Sequence, residues 1–287
     1  MEVKKIAVLG AGLMGHGITQ VAAQVGKYEV YMRDIEQRFI DNGMNMIRQS
    51  LQKFVSKGQL TEAQMNEILQ RIHPTLDLKE AVANADLIIE AAPENPQLKK
   101  ALFKEIDAYA PAHAIIASNT SSVSITELAS ATNRPEQVCG MHFFNPPQLM
   151  KLIEIIKGAK TSDQTIQTIQ EVAKKLEKET VLVKKDSPGF IVNRILIPAL
   201  NEAAALYWEE VADRDDIDKA IKLGLNWPMG PLMLLDYIGA DTTLAIAEVL
   251  TNEIDPKFHP TTGLKQMVKA NLLGRKTGKG FYDWTQK

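Results

Sequence analysis

Two ionisable residues lie where the surrounding sequence is apolar. In HFFNPPQLMKLIEI, residues 142–155, His142 comes at the end of the apolar stretch VCGMHFF, and Glu154 interrupts the next apolar run. An unpaired charge inside a core is costly, so each needs a partner or solvent. Pro146 and Pro147 mark a turn between them. If the chain reverses over Asn145–Gln148 and returns as an antiparallel strand through Met150–Ile156, a reversal centred near residue 148 sets His142 opposite Glu154. The turn residues centre nearer 147, which agrees to about one residue. A carboxylate held against one imidazole nitrogen fixes the ring's tautomer and leaves the other nitrogen to act as a general base on a hydroxyl. Removing that proton while hydride leaves the same carbon is alcohol oxidation. The bland alternative is a histidine bonded to backbone and a glutamate in solvent. What separates the two is whether the chain also carries a place for a hydride acceptor.

The N-terminal residues supply one. Val3–Leu9 is a short aliphatic, β-branched run; Gly10-Ala-Gly12-Leu13-Met14-Gly15 follows it, and Ile18, Val21, Ala22 and Val25 then recur at helical spacing. A second strand, Tyr28–Met32, leads to Asp34, 24 positions after Gly10. A lone G-x-G-x-x-G is weak, but between a strand and a helix, with an acidic residue at this distance, it is the context of a dinucleotide fold. Glycine lets the backbone turn tightly and approach a pyrophosphate, and the helix N-terminus favours its charge. Asp34 can accept from ribose hydroxyls and would repel a 2′-phosphate, so NAD is the expected cofactor; Arg33 beside it keeps NADP as a second option.

The elements that must position these groups alternate. Further strands are expected at Asp86–Glu90, Ala114–Ala117 and Val138–Phe143, and at Thr180–Lys184. Helices are expected at 36–57, 61–71, 97–110 and 124–131. This predicts an α/β fold: a Rossmann-type, mainly parallel sheet with the helix pair 36–71 inserted, over residues 1–186. The strand edge that carries His142 also carries Asn119, Ser121 and Ser122 of ASNTSS, although a serine there also suits the cap of the next helix. The helix pair bears Arg48, Lys53 and Lys57; such charges are more often a solvated face than a phosphate site. From DSPGFIVNR onward the pattern is helical, so residues 187–287 are read as an all-α domain. Its first helix reaches about Glu210 and is expected to bend at Pro198. Asn193 is an amide on an apolar helical face, equally suited to a cleft or to backbone. The run Met229–Gly239 offers much apolar surface, which suggests a homodimer through this half.

Composition narrows the classes. With 33 basic and 35 acidic residues the net charge is −2, so no global field draws nucleic acid or an anionic membrane. No 18-residue apolar span occurs, and the apolar N-terminal run breaks at Gly10. A single cysteine, Cys139, excludes an intrachain disulfide and reads as a packed side chain; an intracellular, cytoplasmic protein is expected. No G-x-S-x-G or H-E-x-x-H is present, and the other histidines lack ligand spacing, so no metal is expected.

Across the whole chain the sequence resembles the 3-hydroxyacyl-CoA dehydrogenases. The resemblance rests on GAGLMGHGI, DLIIEAAPEN, SNTSS, HFFNPPQLMKLIEI, DSPGFIVNR, LGLNWPMGPLMLLDYIG and GRKTGKGFYDW. It is similar to the monofunctional bacterial type, acting in fatty-acid or butanoate metabolism. The resemblance implies that His142 is the base and Glu154 its orienting partner, with Ser121 and Asn193 around the reacting oxygen. It implies NAD contacts from Asp34, Glu94, Lys99 and Asn119, with Asn145 at the nicotinamide end, and coenzyme A contacts from Ser50 and Lys57. Pro93 and Pro96 stand where relatives commonly have aliphatic residues, so the loop bearing Glu94 and Lys99 is expected to be the part most subject to displacement. Two other readings remain open on the residues alone: a dehydrogenase of a sugar acid such as L-gulonate, and a non-catalytic nucleotide-binding relative.

Overall fold

A computed structural model describes residues 2–285. The chain divides after Ser187 into two compact units. In the first, elements follow in the order β1 (Lys5–Leu9), α1 (Gly15–Gln24), β2 (Glu29–Arg33), α2 (Gln37–Ser56), α3 (Glu62–Gln70), β3 (Ile72–Thr75), α4 (Leu78–Val82) and β4 (Leu87–Glu90). There follow α5 (Pro96–Tyr109), β5 (Ile115–Ser118), α6 (Ile125–Ala129), β6 (Val138–Phe143), β7 (Leu152–Ile156), α7 (Asp163–Lys175) and β8 (Glu179–Val183). The eight strands form one sheet in the order β3-β2-β1-β4-β5-β6-β7-β8. Every pairing is parallel except β6 with β7. β1, β4, β5 and β6 therefore point their carboxyl ends to one edge, where ligands of such sheets bind.

The central strands are buried along their length, as expected of parallel strands covered on both faces. The inserted pair is α2 and α3. Ile40, Gly43, Met44, Ile47 and Leu51 face the core from α2, while Thr61 opens α3 with a capping box to Gln64. Three elements lie outside the sequence expectation. α7 buries Ile166, Ile169, Val172 and Ala173 at helical spacing and is capped by Ser162, so its signal was present in the residues. β3 is four residues with Pro74 inside, a composition tolerated at a sheet edge, and α4 is a single short turn capped by Asp77.

The second unit is helical: α8 (Val192–Trp208), α9 (Arg214–Gly224), α10 (Pro231–Ile238), α11 (Ala240–Glu253) and α12 (Thr262–Lys269). α8 continues as one helix through Pro198. Leu200, Ala204, Leu232, Leu235 and Leu264 are fully buried in its core. The apolar run around Leu232–Leu235 is thus consumed by the unit's own packing. Exposed aliphatic residues lie elsewhere, at Ile195, Val211, Leu223 and Leu225.

Two buried aspartates organise this unit. Asp218 of α9 accepts from the backbone of Leu232 and Met233, supplying the N-terminal cap that α10 lacks from its own sequence. Asp236, 0% exposed, accepts from the backbone N–H of Phe281 and Tyr282 and from Trp284 Nε1. Replacing Asp236 by alanine strands three donors and releases the closing segment. We expect a loss of about 3 kcal/mol or more, since bonds to a charged acceptor are each worth ~1.5–3 kcal/mol. Thermal unfolding of Asp236→Ala checks this, with a change in Trp284 emission as the local signal; an unchanged Tm would refute the role.

Candidate active site

The glycine loop shows what each glycine is for. Gly10 has φ +111°, and a Cβ there would sit 2.5 Å from the Ala91 carbonyl oxygen. A Cβ on Gly15 would lie 1.7 Å from the Gly10 carbonyl oxygen, so the start of α1 can close on β1 only without one. A Cβ on Gly12 would meet nothing within 4 Å. Two glycines thus serve the loop's own packing, and the third leaves open ground of the kind a pyrophosphate needs to approach the backbone. α1 has no side-chain cap and no acidic residue in its first turn, which leaves its N-terminal donors suited to an anion. Leu13 is exposed beside this ground, while Met14 packs partly against the core.

Asp34 follows β2 at the same edge. One of its oxygens accepts from Ala11 N and the other from Ile35 N, both at 2.7 Å. The carboxylate is pinned with lone pairs remaining for ribose hydroxyls. Arg33 Nε donates to the Leu76 carbonyl at 3.3 Å. The donor set therefore fits NAD: an open glycine, an uncapped helix terminus and a fixed anion at the ribose position.

The histidine and glutamate meet through strand register. β6 and β7 pair antiparallel with His142 directly opposite Glu154, and His142 Nδ1 lies 2.8 Å from Glu154 Oε2. His142 is 7% exposed and Glu154 fully buried. The His142 ring also packs against Phe144, centroids 4.7 Å apart. Asn119 ties the neighbouring strand end to this one: its Oδ1 accepts from Phe143 N at 2.8 Å, and its own N–H donates to the Glu90 carbonyl.

Around Glu94 the two loops after β4 and β5 are knitted together. Its Oε1 faces Thr120 Oγ1 at 2.6 Å, the backbone N–H of Ser121 and Ser122 at 2.9 and 3.0 Å, and their hydroxyls at 3.2 and 2.9 Å. Five donors exceed what one oxygen can take, and hydroxyls can rotate where backbone cannot. The Ser121 hydroxyl, at the longest of the five distances, is the one most readily surrendered to another acceptor. Burial alone would raise the Glu94 carboxyl, but the Lys99 ammonium and these hydrogen bonds together hold it below its ordinary range. Pro96 occupies the first turn of α5, where no N–H is needed, and Asn95 caps the helix through Leu98 N.

Lys99 is 1% exposed, and its Nζ lies 2.7 Å from Glu90 Oε1, 3.0 Å from the Ala92 carbonyl and 3.3 Å from Glu94 Oε2. Those three acceptors match its three donors. Glu90, fully buried, also accepts from Ala92 N at 2.6 Å and from Ser118 Oγ at 2.5 Å. Glu90, Ser118 and Thr120 are not among the residues that the sequence pattern singles out. Glu90 was findable by the reasoning applied to Glu154, because it too is a carboxylate ending an apolar run, DLIIE.

The other expected residues are spread around this edge and beyond it. Asn145 is exposed at the start of the turn after β6. Ser50 of α2 and Lys57, the residue that caps its C-terminus, follow Gly43 at seven-residue steps, hence close to one stripe of the helix. Gly43 packs against the glycine loop, where a Cβ would be 2.7 Å from the Ala11 carbonyl oxygen. Asn193 is half-buried in the first turn of α8, in the second unit. Cys139 is fully buried and its thiol is pushed up to about 12 by burial, which leaves it inert. No group of side chains suited to a metal ion occurs among the described residues, and none of their helices is long and apolar enough to cross a membrane.

Comparison with known proteins agrees over the full length. Residues 5–187 match the NAD binding domain of 3-hydroxyacyl-CoA dehydrogenase, and residues 189–284 match its C-terminal domain. A probable 3-hydroxybutyryl-CoA dehydrogenase of Deinococcus radiodurans is 50% identical over 281 residues, covering 98% of this chain and 100% of the relative. A 3-hydroxybutyryl-CoA dehydrogenase of Clostridioides difficile is 47% identical over 283 residues, with 98% and 100% covered. The crystal structure of (S)-3-hydroxybutyryl-CoA dehydrogenase from Ralstonia eutropha superposes with a TM-score of 0.94 at 44% identity, covering 99% of this chain and 100% of that one. A glycine loop built for a dinucleotide, a carboxylate-held histidine on the same sheet edge and these matches lead to one conclusion: the chain belongs to the 3-hydroxyacyl-CoA dehydrogenase family.

Proposed function

We propose that this chain catalyses the reversible, NAD-dependent oxidation of (S)-3-hydroxyacyl-CoA to 3-oxoacyl-CoA, with the four-carbon 3-hydroxybutyryl thioester as a substrate. The observation that carries the reading is the His142–Glu154 contact of 2.8 Å, at the carboxyl end of β6 on the edge that carries the glycine loop. Bound NAD supplies the hydride acceptor. In oxidation His142 Nε2 takes the 3-hydroxyl proton, and Glu154 on Nδ1 holds the ring and balances the imidazolium formed. In reduction the same nitrogen returns the proton. Ser121 gives up Glu94 to donate to the substrate oxygen. Glu94, Asn119 and Asn145 border the cofactor, and Lys99 acts there by holding Glu94.

Coenzyme A is read onto α2. Lys57 is exposed, and it lies about 10 Å along the helix from Ser50 on the stripe that starts at the glycine loop. That is a suitable span for a second phosphate-bearing ligand beside the first. The exposed Ile195, Val211, Leu223 and Leu225 support association of two copies through the helical unit, and a cytoplasmic setting agrees with the lone buried thiol.

The test follows NADH absorbance after acetoacetyl-CoA is added, with NADPH and free acetoacetate in parallel. Rapid loss confined to NADH with the thioester is expected. Lys57→Ala should raise KM for acetoacetyl-CoA several-fold and leave kcat nearly unchanged. Turnover of the free acid at a comparable rate would favour a sugar-acid type of substrate, and NADH binding with no turnover would favour a non-catalytic relative.

A further inference from the structure

The turn between β6 and β7 carries Asn145 and joins the two strands that pair His142 with Glu154, yet it has little structure of its own. Leu149 and Met150 both donate their N–H to the Pro146 carbonyl, which makes a single helix-like turn. Such a turn leaves later carbonyls without partners, and polar backbone away from water must find some. Here one side chain from another element supplies them. Lys178, just before β8, donates from Nζ to the Pro147 carbonyl at 2.7 Å and to the Met150 carbonyl at 2.8 Å. Its backbone neighbour Glu179 donates to the Lys151 carbonyl, closing the end of the same turn.

The opposite side of the turn rests on α1. Gly17 leaves room for it: a Cβ there would lie 2.9 Å from both Gln148 Oε1 and Pro147 Cδ. Gln148 Nε2 donates to Gln20 Oε1 at 3.1 Å, and Gln20, fully buried, donates onward to Gln24. The helix that presents its N-terminus to the cofactor phosphates therefore also seats, one turn further along, the turn leading from the histidine.

We infer that Lys178 is a positioning residue for the dehydrogenase reaction: with its two carbonyl bonds it clamps the Pro146–Met150 turn against Gly17 and Gln20 of α1, fixing Asn145 and the His142–Glu154 pair relative to the phosphate loop. The inference rests on the function proposed above. Burial holds the Lys178 ammonium below the usual lysine range, with Glu177 opposing, which fits a cation committed to backbone. Lys178 is remote from Asp34 and the glycine loop in sequence and bonds to neither. Its loss should therefore spoil geometry at the reacting end, where displacements of about 1 Å can cost up to ~100-fold, while the phosphate and ribose ends of the cofactor seat, which supply most of the hold on NADH, stay in place.

The test uses the full-length protein with acetoacetyl-CoA and NADH, together with amide exchange of the turn. Lys178→Met should lower kcat roughly tenfold, keep KM for NADH within about twofold and accelerate exchange at Leu149 and Met150. Lys178→Arg, which can still reach carbonyls, should restore most of the rate. Gly17→Ala pushes the same turn from the other side, so its kcat loss combined with Lys178→Met should be smaller than the product of the two. Unchanged exchange at Leu149 and Met150 in Lys178→Met overturns the clamp, whether or not the wild type turns over. Wild-type turnover of acetoacetyl-CoA with kcat of Lys178→Met within twofold overturns its part in catalysis and leaves the dehydrogenase reading intact. Absence of turnover in the wild type would instead sink that reading.

Discussion

His142→Ala is expected to lose roughly 10²–10⁴-fold in kcat, the usual contribution of a positioned acid–base group, while NADH still binds. The argument is geometric. The proposed cofactor seat does not depend on the imidazole: the ground read for the phosphates lies over Gly12, in the loop that Gly10 and Gly15 close, and the proposed ribose anchor is Asp34, fixed by Ala11 and Ile35. The proton of the proposed reaction, in contrast, goes to His142 at the end of β6. Glu154→Gln is expected to do less, about 10–100-fold, because an amide can still accept from Nδ1 but cannot balance an imidazolium. NADH fluorescence titration and steady-state kinetics on the same preparation separate the two effects. A His142→Ala enzyme within tenfold of wild type would remove the histidine from the chemistry. A parallel loss of NADH affinity would mean that the substitution had disturbed the sheet edge instead.

The legible parts of the sequence were those where a pattern and its physical cause are both local. The glycine loop could be read because a tight turn, a helix start and an anion seat must lie within a few residues of one another. The facing of His142 and Glu154 could be read because a short reversal leaves little freedom in register, and the observed pairing places them opposite. α7 carried an equally local signal in Ile166, Ile169 and Val172. What local pattern does not carry is a side chain's distant partner. Lys99 looks like any lysine near a helix start, and only the fold shows its ammonium buried among Glu90, Glu94 and a carbonyl. Lys178, 31 residues from Pro147, gives no sign in sequence that it serves that turn. Nor does Asp236, 46 residues from Tyr282, reveal that it holds the closing segment.

Lys99 gives the second large expected effect, and it is one of stability. The family resemblance ties Lys99 to the cofactor, but its surroundings make it first a counter-charge. Two carboxylates converge on it, one fully buried, and its side chain is 1% exposed. Removing one member of a buried pair leaves the other charge without compensation, which costs about 3–5 kcal/mol. Lys99→Met keeps length and apolar volume and deletes only the charge, so thermal unfolding of the first unit should fall by roughly 10 °C. Neutralising the partner should recover part of this: Glu90→Gln combined with Lys99→Met is expected to be more stable than Lys99→Met alone. The pH dependence has a definite sign. Glu94 sits below its ordinary value in the folded protein, so it contributes stability that is fully present above the ordinary carboxylate range and is lost as pH falls through the folded value. Without Lys99 the pull that outweighs burial is reduced, and the acid limb of the stability curve should become shallower. Unfolding measured between about pH 3 and pH 7 decides the matter. A Lys99→Met protein as stable as wild type, with the same acid limb, would mean that water or another cation already neutralises the pair. In that case Lys99 would be left with only the cofactor role that the resemblance implies.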